Sequence, residues 1–191
     1  PQWQRLEVLL SGLPEHETDA AWLRKILQAQ LHLGLNGPAR CTLESLAYVD
    51  RLSAQELFEQ GLIAHRDGDR ASATVSFAAA CEAAGGKACR KGPAQFACSR
   101  GDWKLALELL ELYPGEGMSR ADLVYELGLC LDRLCEYERA QGQYALAASL
   151  DPGSGNSLYK LGLVSERVGD LVTAERSYLE ALRTLKKPAR S

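Results

Sequence analysis

Residues 121–154 read ADLVYELGLCLDRLCEYERAQGQYALAASLDPGS, and residues 155–188 read GNSLYKLGLVSERVGDLVTAERSYLEALRTLKKP. With an offset of 34, Leu127, Gly128, Leu129 and Arg133 coincide with Leu161, Gly162, Leu163 and Arg167. Ala140, Tyr144 and Ala147 likewise coincide with Ala174, Tyr178 and Ala181. A fixed period of this length marks an array of supersecondary units, each burying its apolar face only against its neighbours. Gly128 and Gly162 fall inside helical stripes, where glycine costs about 1 kcal/mol relative to alanine. Their recurrence predicts a second helix crossing too closely to admit a side chain. Ala140 and Ala174 are expected to form the small-on-small contact, with Tyr144 and Tyr178 filling the wider gap one turn on.

Working outward, residues 54–86 carry Leu57, Gly61, Ala73, Phe77 and Ala80 at the corresponding positions, in a unit one residue short. Residues 87–120 are a unit with a broken first helix, because Pro93 removes a backbone donor and clashes with the preceding turn. Its second helix, Trp103 to Leu112, keeps Ala106 and Leu110 in place. Residues 20–53 are a divergent unit. The stripe Trp22, Leu23, Ile26, Leu27 and Leu31 is helical, with Ala39, Leu43 and Leu46 on the partner helix. Leu27 stands where the small residue should be, so looser or shifted packing is expected. The inter-helix turns repeat as Gly68-Asp69, Gly101-Asp102 and Gly169-Asp170, with Cys135-Glu136 in the fourth case. Glycine closes the first helix in the left-handed conformation and aspartate caps the second. Residues 1–13 have helical spacing and read as the second helix of a partial preceding repeat, residues 1–19, with 189–191 a tail.

This unit resembles the tetratricopeptide repeat. That family's pattern has a large apolar residue at position 4, Gly or Ala at 8, Ala at 20, an aromatic at 24, Ala at 27 and often Pro at 32. Val124, Gly128, Ala140, Tyr144, Ala147 and Pro152 match it in one copy. Leu158, Gly162, Ala174, Tyr178 and Ala181 match it in the next, with Lys186 in place of Pro. The resemblance implies an all-α fold: a right-handed superhelix, or α-solenoid, of about five stacked helix-turn-helix repeats, 20–53, 54–86, 87–120, 121–154 and 155–188. It also implies a concave groove lined by positions 2, 5, 9, 12 and 13 of each first helix. Those positions hold Phe58, Leu62, His65 and Arg66, then Asp122, Tyr125, Leu129, Asp132 and Arg133, then Asn156, Tyr159, Leu163, Glu166 and Arg167. Of these, Phe58, Leu62, Tyr125, Leu129, Arg133, Tyr159, Leu163 and Arg167 are singled out. These eight residues are the expected partner-binding set, because Tyr and Arg join large contact area to a polar handle. Members of the family that clamp acidic C-terminal peptides use Lys and Asn at set positions. Lys91 is in place here, but Gln95 and Glu126 stand where Asn is required, which disfavours such a clamp.

Composition agrees with helix. The 33 Leu and 26 Ala far outnumber the 9 Val and Ile, and β-branched residues lose side-chain freedom in helices. A net charge of −3 implies no attraction to nucleic acid. No apolar run approaches the ~20 residues of a membrane span. The chain opens on Pro1 without a signal peptide, as expected of a processed or excised piece. His16, His32 and His65 sit in different repeats without a matching acid or nucleophile, so no catalytic site and no cofactor are expected. The stretch Gly85-Gly86-Lys87-Ala88 fails as a phosphate loop, since Cys81 replaces the first Gly and Ala88 the Ser/Thr. The local run Lys87, Arg90 and Lys91 is a possible anion-binding patch, set against the plainer reading of a solvated loop.

The functional expectation is a non-catalytic scaffold holding a protein or peptide in the groove. The alternative is an accessory region of a larger bacterial glycosyltransferase or capsule-type polymerase, whose repeats the run at 161–169 resembles. A downstream domain or self-association through uncapped ends is also expected, with Leu171, Val172, Leu179 and Leu182 facing the missing neighbour. The six Cys fit no zinc spacing and read as reduced thiols in a cytoplasmic setting. Thiol counting on denatured, unreduced protein should find six, and two or fewer would overturn that assignment.

Overall fold

The structure, a computed structural model, describes residues 19–85, 91–115 and 117–186. The helix expected within residues 1–13, the residues Lys87 and Arg90, and the tail lie outside them. The described residues form ten α-helices and no strand. They are α1 (Ala20–Leu33), α2 (Asn36–Val49), α3 (Ala54–Arg66), α4 (Arg70–Ala83) and α5 (Ala94–Ser99), followed by α6 (Trp103–Leu112), α7 (Arg120–Arg133), α8 (Tyr137–Leu150), α9 (Gly155–Val168) and α10 (Leu171–Lys186). No helix among them is long and apolar enough to cross a membrane. The helices follow one another in pairs, and the chain divides after Gly86 into two compact units, each described by itself.

The first unit holds α1 to α4. Side chains at the helix entrances set where each helix begins, by accepting from otherwise orphaned N–H groups. Asp19 accepts from Ala21 N, Asp69 from Ser72 N, and Ser53 from Glu56 N in a reciprocal capping box. Gly34, at φ 70°, closes α1 in the left-handed region. Leu27 does not leave the divergent repeat loose. It meets Leu43, where three other repeats carry an aromatic, and the two share a buried core with Ala39, Leu46 and Ile63. A second leucine thus takes the volume that a Gly–aromatic pair fills elsewhere. Beside this core, buried Thr42 Oγ1 donates to Gln30 Oε1 at 2.8 Å, so both polar groups are satisfied. Arg24 joins the two repeats, lying 2.8 Å from Glu56 and 3.0 Å from Asp50. Burial works against the Glu56 carboxylate, yet Arg24 and the Ser53 cap outweigh it and hold its pKa below the usual range.

The second unit holds α5 to α10. The first helix of its opening repeat is reduced to six residues beginning after Pro93, as the Gly-Pro break predicts. Gly92 sits at φ 56°, and a Cβ there would come within 2.9 Å of the Tyr113 carbonyl oxygen. Asp102, Ser119, Ser154 and Asp170 cap the helices that follow. Cys135, at φ 61°, occupies the left-handed turn position that Gly68, Gly101 and Gly169 fill in other repeats. The core of the two matched repeats gathers Leu131, Ala140, Tyr144, Leu161 and Val164.

The mid-helix glycines make the predicted close approach, but the ring is what enters the notch. A Cβ on Gly61 would stand 2.5 Å from the Phe77 ring, on Gly162 2.5 Å from Tyr178, and on Gly128 3.0 Å from Tyr144. The expected small-on-small contact with alanine is therefore a small-on-aromatic contact. Replacing glycine by alanine in a helix interior ordinarily gains about 1 kcal/mol. For Gly162→Ala we predict a loss of about 1–3 kcal/mol in urea unfolding, because the methyl overpacks the notch. Adding Tyr178→Leu, which recreates the Leu43 side of the divergent pair, should recover part of the loss. A stabilised Gly162→Ala protein would refute the notch.

Candidate functional site

The exposed face of α7 and α9 is assembled from one residue per turn. Tyr125, Leu129 and Arg133 follow one another at intervals of four on α7, as do Tyr159, Leu163 and Arg167 on α9. That spacing stacks side chains on one helical face. The caps at Ser119 and Ser154 start both helices in the same phase. Tyr125 leans on Tyr144 with ring centroids 5.7 Å apart, and Tyr159 leans on Tyr178 at 5.9 Å. The same pairing thus recurs one period on. Tyr159 is 51% exposed. Tyr125 is half-buried, and burial, followed by the nearby Glu126 charge, pushes its hydroxyl pKa up. Leu129 and Leu163 are half-buried between the Tyr and Arg rows.

Phe58 and Leu62 do not extend this face. Phe58 is 0% and Leu62 2% exposed, so both are core residues rather than partner contacts. Phe58 lies against Phe77 with centroids 5.6 Å apart, as its counterparts lie on Tyr144 and Tyr178. Having no hydroxyl, it can sink fully into the repeat without stranding a polar atom.

Both arginines remain exposed, yet each is engaged by the preceding repeat. The Arg133 guanidinium carbon lies 5.4 Å from the Trp103 ring centre, and Arg167 5.2 Å from that of Tyr137. Trp103 opens α6 and Tyr137 opens α8. Such cation–π stacks contribute about 0.5–1 kcal/mol when exposed. Arg167 also pairs with Asp132, which Lys160 approaches at 4.0 Å. The expected cationic edge is thus a seam between repeats, partly neutralised by Asp132. Trp103 and Tyr137 are themselves one period apart, a signal present in the sequence that the search for groove residues passed over.

Lys91 is not an open anion site. Its Nζ lies 2.7 Å from Glu126 Oε2, and both side chains are mostly shielded from solvent. Burial opposes the ammonium charge, but the Glu126 carboxylate outweighs it and raises the Lys91 pKa. The Glu126 that breaks the clamp pattern therefore also occupies its lysine. Among the described residues no group of three His, Cys, Asp or Glu could hold a metal ion. The faces of Leu171, Val172, Leu179 and Leu182 are exposed on α10.

Beneath the face, Tyr144 is 0% exposed and its hydroxyl has no hydrogen-bond partner among the described residues. Burial pushes its pKa far upward. Its period-mate Tyr178 instead donates to Glu166 Oε2 at 3.0 Å. Leaving a buried hydroxyl unpaired costs about 1–3 kcal/mol. We predict that Tyr144→Phe is neutral or stabilising by up to about 1 kcal/mol in thermal or urea unfolding. Tyr178→Phe should be slightly destabilising. A clear loss from Tyr144→Phe would mean that the hydroxyl is satisfied.

With helix pairs, notches and caps recurring at this period, the fold is of the tetratricopeptide-repeat type. Solved structures are similar to this chain at low identity. MamA from residue 41 to its end, from Desulfovibrio magneticus RS-1, is 21% identical and superposes with a TM-score of 0.50, over 93% of this chain and all of that one. A MamA RS-1 double mutant is 22% identical over 91% of this chain and 97% of that chain, with a TM-score of 0.49. The C-terminal part of a TPR repeat-containing protein from Cytophaga hutchinsonii is 14% identical over 96% and 74%, also at 0.49. No protein-family model matches the chain. No curated protein matches it.

Proposed function

We propose that this protein is a non-catalytic interaction scaffold that holds an extended segment of a partner protein along the Tyr–Leu face of α7 and α9. The observation that carries this reading is Tyr159. The residue is 51% exposed although its ring is held against Tyr178, and it stands one period from Tyr125, which leans on Tyr144 in the same way. A preplaced, half-exposed aromatic offers contact area at low entropic cost, which is what binding anchors do. The charges narrow the partner's chemistry. Lys91 is matched by Glu126 and Arg167 by Asp132, so an acidic or phosphorylated segment would have to break existing pairs. A segment presenting apolar or aromatic side chains to Tyr125, Leu129, Tyr159 and Leu163 fits better. A reducing compartment such as the cytoplasm fits a Leu-rich chain that can build its own core and whose six cysteines match no zinc spacing.

The test separates binding from stability. Tyr159→Ala removes a side chain that is about half in solvent and should leave the melting temperature within about 2 °C. It should weaken binding of an apolar peptide, selected against the wild-type protein, by about 30-fold, the ~2 kcal/mol of an anchor residue. Tyr125→Ala should lower both, because that ring also packs on Tyr144. If Tyr159→Ala lowers stability as much as Tyr125→Ala and spares binding, the ring belongs to the inter-repeat core and the proposal fails.

A further inference from the structure

One cluster of reactive groups plays no part in the binding face. The turn before short α5, α5 itself and α7 bring together Lys91, Cys98, Glu126 and Cys130. Cys98 lies in the last turn of α5, and Glu126 and Cys130 are one turn apart on α7. The Lys91–Glu126 pair at 2.7 Å sits beside both sulfurs, close enough for each thiol to feel its charges. Cys130 is 1% exposed, Cys98 is half-buried, and the Cys130 S–H donates to the Cys98 sulfur. Both are free thiols. The other free cysteines, Cys41 and Cys135, are exposed, and Cys81 is half-buried on α4.

We infer that Cys98 and Cys130 form a nucleophile-and-resolver pair, which small-molecule disulfides convert to an intramolecular disulfide tying α5 to α7. Exposure sets the order of attack: Cys98 is half-buried and Cys130 only 1% exposed, so a small disulfide reaches Cys98 first. The hydrogen bond from Cys130, with help from the Lys91 ammonium, brings the Cys98 pKa down to about 7, against burial and the Glu126 charge. An unperturbed thiol titrates near ~8.5. The same hydrogen bond, together with burial, pushes the Cys130 pKa up, so it keeps its proton while Cys98 is ionised.

The Cys98 thiolate attacks one sulfur of the small disulfide. A Cys98–S bond forms, the original S–S bond breaks, and one thiolate leaves with the electron pair. Cys130 then loses its proton to solvent and attacks the Cys98 sulfur, expelling the second small thiolate. Two protein thiols are oxidised and one disulfide is reduced to two thiols, so the exchange balances. A six-residue helix is too short to hold its shape unaided. A covalent tie to α7 would therefore fix α5, and with it Lys91, beside Tyr125.

The test incubates the protein with glutathione disulfide at pH 7 and maps unreduced peptides by mass spectrometry. Wild type should yield a Cys98–Cys130 crosslink with no lasting mixed disulfide at either residue. Cys130→Ser should trap a stable mixed disulfide on Cys98. Cys98→Ser should show neither crosslink nor modification of Cys130, with circular dichroism confirming that both variants fold. Lys91→Met should slow crosslinking at least about threefold, the loss of thiolate offset by greater intrinsic nucleophilicity. Lys91→Arg should restore the rate. A lasting mixed disulfide on Cys98 in wild type, or Cys98 reacting no faster than exposed Cys41, would overturn the inference.

Discussion

An aromatic ring lying against bare helical backbone is the contact on which each regular repeat depends. At Gly61, Gly128 and Gly162 the missing side chain lets Phe77, Tyr144 and Tyr178 come within the space a methyl would need. The ring gains contact with a helix at close range, and the two helices are fixed in separation and rotation at once. Dispersion and apolar burial, summed over so large a side chain, outweigh the intrinsic helix cost of glycine. The divergent repeat reaches a similar end by another route, with Leu27 and Leu43 sharing the volume more evenly. What is preserved is the filled space between two helices rather than any one residue type.

From this contact the outward face follows. The ring in the notch presents its own flank to the first helix, and the aromatic at position 5 leans on that flank. Tyr125 on Tyr144 and Tyr159 on Tyr178 are the two instances in the second unit. Their exposure depends on what lies around them, and it ranges from the buried Phe58 to the half-exposed Tyr159. The binding face is thus an extension of the folding core, and its rings are held in place by contacts that also stabilise the hairpin. That explains why one tyrosine of the row can serve a partner while another mainly serves the fold.

The seams between repeats use different chemistry. In the first unit Arg24 meets Glu56 and Asp50. In the second, Arg133 and Arg167 stack on the aromatic residues that open the preceding second helices, and Arg167 adds Asp132. The arginines at these junctions are partly in water, so each pair contributes modestly. Their geometry is nonetheless directional, which suits a joint that must set orientation. The opening repeat of the second unit departs most from the pattern. Its shortened α5 leaves Lys91 and Cys98 to meet α7 through polar and sulfur contacts instead of a full helix face.

The sequence by itself determined the helical class and the repeat type, because these rest on local rules. Glycine at fixed offsets, Gly-Asp turns and the Gly92-Pro93 break act within a few residues and read directly. It also located the two tyrosines, since a 34-residue recurrence places them alike on successive helices. Tertiary structure alone decided which groove positions stay open. Phe58 and Tyr159 hold the same repeat position, yet one is fully buried and the other half-exposed. It likewise decided that the arginines and Lys91 are spoken for by Trp103, Tyr137, Asp132 and Glu126, and that Cys98 faces Cys130. Burial and pairing depend on neighbours distant in sequence, and no periodic pattern records which of two equivalent side chains a neighbouring helix will cover.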